Sequence, residues 1–210
     1  MRRKILVATT NHGKMAELSA MLDADVEWLT LVDFPGIVEV SEDGRTFAEN
    51  AGKKAIGYAQ AAGCWTIADD SGLMVDALGG EPGVHSARFS GSKLEGEART
   101  LIDHRNIEKL LGLLKGTPSE KRTCRFACSL CLASPDAILA ETEGTLEGIV
   151  IDKEMGENGF GYDPVFFVPS LGKTVAQLDS AEKNAISHRG QAARKLKPIL
   201  LGLLRSQPIC

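Results

Sequence analysis

The 210-residue sequence predicts an α/β fold built on a mixed β-sheet. Three observations lead there. In the first third, short apolar runs alternate with segments whose apolar residues recur every three or four positions, as in β-α-β units. In the middle, three strand-like runs follow one another with only turns between them, as in an antiparallel meander. Near the end helical periodicity returns, so helices should flank the sheet at both ends of the chain. Hydrophobic residues make up 43% and charged residues 25%, ordinary globular usage. A chain of this length buries about 70% of its unfolded surface without a disulfide or metal staple, and a single domain over residues 1–210 is expected.

Taken in order, Lys4 to Thr9 (KILVAT) reads as a buried first strand. Met15, Leu18 and Leu22 mark the first helix, and Trp28 to Val32 a second strand. The next helix carries the clearest start and stop. Thr46 and Glu49 form a capping box, Phe47, Ala51, Ala55, Tyr58 and Ala62 make one face, and Gly63 stands at the C′ position. Cys64 to Ala68 is then a short buried strand ending in Asp69-Asp70-Ser71-Gly72. Glu97 to Lys115 is helical, with Leu101, Leu110, Leu111 and Leu114 apolar. Strands are expected over Thr123 to Ala133, Ala137 to Glu143, Thr145 to Ile151 and Val165 to Val168. A second capping box, Asp179 with Glu182, opens a helix expected to run through Arg194 and to bend or break at Pro198, ahead of the apolar Ile199 to Leu204 segment.

Composition excludes several functions. The longest apolar runs, such as Pro198 to Leu204, fall far below the ~20 residues of a membrane span. Arg2, Arg3 and Lys4 precede only Ile5 to Ala8, too short for a signal peptide, so a cytoplasmic location is expected. A net charge of −4 argues against a broad nucleic-acid surface but leaves room for a small polyanion. The odd count of five cysteines points to reduced thiols. Cys124, Cys128 and Cys131 invite a metal-knuckle reading. However, Phe126, Cys128 and Leu130 alternate with Arg125, Ala127 and Ser129, and no second ligand pair follows at zinc spacing, so a strand is expected.

Five segments are candidates for chemistry. Thr9-Thr10-Asn11-His12-Gly13-Lys14 joins a strand to a helix, where backbone N–H groups and a lysine suit an anion; a plain Asn-Gly turn reads the same way. Ser41-Glu42-Asp43-Gly44 offers carboxylates to a divalent cation or to water, and Lys53 and Lys54 lie one turn into the capped helix. Ala68-Asp69-Asp70-Ser71-Gly72 places two carboxylates at an apolar strand's end, which is costly unless a cation compensates them. In Gly159-Phe160-Gly161-Tyr162-Asp163-Pro164, glycines let backbone approach a ligand while Phe160 offers a flat face to a purine. In Lys183-Asn184-Ala185-Ile186-Ser187-His188-Arg189, donors four apart share a helical face and suit a base or a phosphate.

Together, TTNHGK, TFAENAGKKA, ADDSGL, GGEPGVHSARFSG, GFGYDPVFF and EKNAISHRGQA resemble the inosine triphosphate pyrophosphatase family, whose bacterial members are XTP/dITP diphosphatases. The resemblance runs from about Lys4 to Ala192. It implies an elongated α/β sheet with two lobes around a central active-site cleft, a homodimer, and Mg²⁺ as cofactor. It implies that Thr9, Thr10, Asn11, His12, Gly13 and Lys14 bind the triphosphate together with Lys54. Asp70 would be general base and metal ligand, Glu42 a second metal-associated carboxylate, and Ser71 a substrate contact. Phe160, Gly161, Tyr162, Asp163, Lys183, His188 and Arg189 would form the nucleobase pocket. Thr10 stands where the family commonly has glycine; a left-handed backbone there would strain a β-branched residue.

The implied activity is hydrolysis of ITP, dITP and XTP to the monophosphate and pyrophosphate, with no nucleic acid or membrane partner. Lys14, Lys54 and Mg²⁺ would screen the phosphates, Asp70 would activate water, and Asp69 and Glu42 would tune charge around the metal. Lys183, His188 and Arg189 would donate to the 6-oxo group. A phosphatase forming an aspartyl-phosphate is an alternative, although Ser71-Gly72 follows Asp70 where such enzymes typically want D-x-D. A non-catalytic nucleotide sensor is the other.

Overall fold

The computed structural model describes residues 2–10, 12–91 and 97–206; the side chain of His12 and the surroundings of Gly13 lie outside the description. The chain runs β1 (Lys4–Val7), α1 (His12–Leu22), β2 (Glu27–Thr30), α2 (Phe47–Ala62), β3 (Trp65–Val75), α3 (Arg99–Leu113), β4 (Thr123–Ala133), β5 (Ile138–Val150), β6 (Phe166–Val168), β7 (Lys173–Thr174), α4 (Ser180–Ile186) and α5 (His188–Ser206). The strands pair in the order β2-β1-β3-β4-β5-β6-β7. β1 runs parallel to both its neighbours, with Ile5 opposite Trp28 and Trp65. The β5–β6 and β6–β7 pairs are antiparallel. The sheet is therefore mixed, as the pattern predicts. Among the described residues no helix is long and apolar enough to cross a membrane.

Two compact units divide the chain: Met1–Asp70, Cys128–Gly144 and His188–Cys210 in the first, Ser71–Ala127 and Thr145–Ser187 in the second. In the first unit, Ile5, Val7, Ile67, Leu130 and Leu132 from the strands meet Leu18 and Leu22 of α1 and Leu196 and Leu200 of α5. A separate cluster packs Ala51, Ala55 and Ala59 of α2 on Ala68, Cys131 and Ala133, small side chains that let the helix lie close. In the second unit, Leu73, Val75, Phe126 and Phe166 pack with Ile107 and Leu110 of α3, and the rings of Phe126 and Phe166 stack at 4.3 Å.

Cys128 belongs to the core under α1 and α5, whereas Cys131 belongs to the cluster under α2. Three positions apart on a strand, they face opposite sides of the sheet and do not converge on one ion. Burial pushes both thiols up to about 12, far from the thiolate that binds metal.

α2 is capped as expected, with the Thr46 hydroxyl accepting from the Glu49 N–H at 3.1 Å and Gly63 left-handed at φ 65°. The Glu49 carboxylate, however, accepts from the Arg45 N–H at 2.7 Å, so the box closes one residue early. Among the described residues Asp23 alone has positive φ without being glycine, so Thr10 carries no such strain.

Three expectations need correction. β3 does not stop at Ala68 but continues through Asp69, Asp70, Ser71 and Gly72 to Val75. Gly144 does not interrupt β5: a Cβ there would overlap the His188 carbonyl and lie 2.8 Å from the Ala192 nitrogen, so glycine is needed for α5 to approach. The C-terminal helix breaks at Ser187, whose ψ of 152° ends α4, rather than at Pro198, which lies within α5.

Candidate functional site

Because β3 runs through the aspartate pair, its two carboxylates point to opposite faces. Asp70 turns toward α2. There Asn50 donates to its Oδ2 at 3.0 Å and Lys54 to its Oδ1 at 3.2 Å. Asn50 and Lys54, four residues apart, share one helical face, and both are buried. Lys54 also lies 3.3 Å from Glu42, which the preceding loop brings in. That loop is fixed by Asn50 as well, whose Oδ1 accepts from the Gly44 N–H at 2.7 Å. Asn50 was not among the residues expected here; its spacing ahead of Lys54 on a buried face was the available signal. Lys53 turns outward and pairs with Asp43 at 2.6 Å.

Burial raises the Asp70 carboxyl above its ordinary value, and Glu42 adds to the rise, outweighing Lys54 and Asn50. Desolvation would lower Lys54, but Asp70, Glu42 and Asp69 together overcome it and keep it firmly protonated. One ammonium thus serves two carboxylates.

Asp69 faces α1 and α5 instead. Its Oδ2 accepts from Arg189 Nη2 at 3.0 Å and Nε at 3.3 Å, with Lys14 Nζ at 3.5 Å. Arg189 Nη1 also lies 3.3 Å from Glu17. Burial alone would raise the Asp69 carboxyl; Lys14 and Arg189 hold it well below the usual carboxylate range. Arg189, expected to read a base, commits its donors to Asp69 and Glu17 on the face away from Asp70. Asp69, expected beside the metal, anchors two helices.

Of the remaining first-unit candidates, Thr9 is half-buried and Thr10 exposed ahead of α1. His188 opens α5. Asn11, the side chain of His12 and the surroundings of Gly13 lie outside the described residues.

In the second unit, Asp163 is buried and its Oδ2 takes both the Phe160 N–H at 2.9 Å and Lys183 Nζ at 2.6 Å. Lys183 Nζ sits 4.6 Å from the Phe160 ring centroid, and Phe160 is 49% exposed. Gly159 has φ 80°, and a Cβ there would collide with Asp163. Tyr162 is buried, its hydroxyl donating to the Ser86 carbonyl at 3.0 Å, so it supports the loop from within the core. The Gly161 N–H donates to Asp103 Oδ2 at 2.9 Å, a residue that sequence reasoning passed over. Ser71 lies half-buried in β3. The helix break at Ser187 separates Lys183 on α4 from His188 and Arg189 on α5, so these donors do not share one helix.

A Ham1 family model matches residues 5–199. The dITP/XTP pyrophosphatase of Desulforamulus reducens is 45% identical over 207 residues, 98% of this chain and 100% of that one. The dITP/XTP pyrophosphatase of Geobacillus kaustophilus is 49% identical over 195 residues, 92% of each. Among solved structures, the Ham1 protein of Staphylococcus aureus matches with a TM-score of 0.84 at 40% identity, covering 95% of this chain and 99% of that one. The HAM1 protein of Coxiella burnetii gives 0.85 at 37% identity with the same coverage.

Proposed function

The chain belongs to the Ham1 family, and from that premise we propose that it hydrolyses the non-standard purine nucleoside triphosphates ITP, dITP and XTP to the nucleoside monophosphate and pyrophosphate. Asp70 is the observation that carries the reading. A buried carboxylate held in place by Asn50 and Lys54, its pKa raised by burial, suits a general base. In this reading Asp70 takes the proton of a water attacking the innermost phosphorus. Lys54 fixes the carboxylate and adds positive charge, and the N-terminal end of α1 is assigned to the anionic tail, Lys14 there being shared with Asp69 at 3.5 Å.

Asp70 and Glu42 fit a divalent cation: two hard carboxylates share the single ammonium of Lys54, which leaves net negative charge. We assign Mg²⁺ to this pair, where it would screen the phosphate charge when bound. Phe160 gives the base a face to stack on, and Lys183 donates to its 6-oxo group. A 6-amino group would oppose donor to donor, and such a mismatch can discriminate by about 10⁴. The family resemblance also supports a homodimer in the cytoplasm, which sedimentation and fractionation would test.

The deciding experiment measures pyrophosphate release from ITP, XTP, dITP, GTP and ATP with Mg²⁺. Fast turnover of the first three and slow turnover of ATP supports the reading. Tight binding of ITP without pyrophosphate release would instead make the chain a nucleotide sensor.

A further inference from the structure

The Phe160 segment is pinned at two consecutive amides by two different carboxylates. Asp163, three residues on, accepts from the Phe160 N–H, and Asp103, brought from α3, accepts from the Gly161 N–H at 2.9 Å. Asp163 closes the turn on itself. Asp103 is the tie between this turn and a helix of the second unit's core, where its neighbours Ile102 and Ile107 are buried. A buried acid is costly unless compensated, and Arg99, one turn back on α3, supplies the charge at 2.8 Å. The same helix holds the adjoining segment: Asn106 accepts from the Ser90 N–H at 2.7 Å, and Lys109 donates to the Phe89 carbonyl at 2.6 Å. α3 therefore lines up three polar residues, at steps of three, against loop backbone.

We infer that Asp103 is a positioning residue for base recognition, fixing the backbone beside Phe160 so that the half-exposed ring and Lys183 meet the purine preformed. The inference rests on the reading that Phe160 and Lys183 receive the base. Its physical content is entropic and directional: a charged acceptor holds an amide more firmly than a neutral one, and a platform ordered beforehand costs less to bind.

The test is steady-state pyrophosphate release from ITP and ATP by Asp103→Ala, Asp103→Asn, Asp103→Glu, Phe160→Ala and the Asp103→Ala/Phe160→Ala pair. Asp103→Ala should raise KM for ITP roughly tenfold, the scale of a lost charge-assisted hydrogen bond, with kcat within twofold. Asp103→Asn, whose neutral amide oxygen can still accept from Gly161 but less firmly, should recover part of that loss. Asp103→Glu keeps the charge but shifts the carboxylate by one methylene, and it should raise KM too; it carries the test if the alanine variant does not fold. In the Phe160→Ala background the Asp103 substitution should add less than twofold, because both act through one ring. An unchanged KM in the folded Asp103 variants, or fully multiplicative effects in the double variant, overturns the inference. If Phe160→Ala itself leaves KM unchanged, the base-platform reading fails instead.

Discussion

Adjacent aspartates with opposite surroundings should fail in opposite ways when each is changed to asparagine. The Asp69 side chain is 7% exposed and ionised, holding Arg189 at 3.0 Å and Lys14 at 3.5 Å. Removing one partner of a buried ion pair costs about 3–5 kcal/mol, because a charge is left buried without compensation. Glu17 still faces Arg189 and the new amide keeps one acceptor, so the lower figure, about 3 kcal/mol, applies to Asp69→Asn. For a chain of this size, about 2–4 °C of Tm per kcal/mol makes that a fall of about 6–12 °C. Asp70 has the reverse sign. Its pKa is raised in the folded state, so its ionisation opposes folding above that value, and a neutral isostere removes both this cost and the repulsion from Glu42. Asp70→Asn should therefore lower Tm much less than Asp69→Asn does, because Glu42 still pairs with Lys54 at 3.3 Å, while abolishing turnover. Calorimetry with a parallel pyrophosphate assay on both variants decides. A Tm within about 2 °C of the parent for Asp69→Asn, or a large fall for Asp70→Asn, would refute the assignment of the two faces.

Gly144→Ala should lower stability by about 1–3 kcal/mol, the range for forced overpacking, because its methyl group would press on the α5 backbone. A urea midpoint that does not move would show that α5 yields freely. Lys183→Ala should cut kcat/KM for ITP at least tenfold while leaving ATP nearly unchanged; equal losses on both would remove it from base reading. Chelation should abolish activity and added Mg²⁺ restore it, whereas turnover that survives EDTA would separate Asp70 and Glu42 from metal.

Much of the fold was legible because it is local. The parallel start follows from the KILVAT run and the helix after it, and the α2 boundaries follow from Thr46 and Gly63. What sequence missed depends on tertiary contact. A polar Asp-Asp-Ser-Gly stretch reads as a strand end, yet α2 on one side and Arg189 with Lys14 on the other supply partners that let β3 continue. Gly144 reads as a break, yet it marks close packing of α5. Lys183 and Arg189 read as parts of one continuous helix, but the extended Ser187 divides them. Asn50 and Asp103 carry no motif of their own. Their roles appear only once Asp70 and Gly161 are placed beside them.

In the proposed reaction Asp70 directs water to the innermost phosphorus of a non-standard purine triphosphate. Running ITP hydrolysis in ¹⁸O-labelled water and weighing the products tests it directly. The label should appear in inosine monophosphate, none in pyrophosphate, with no reaction by Asp70→Asn. Label in pyrophosphate, or release of orthophosphate first, would contradict it.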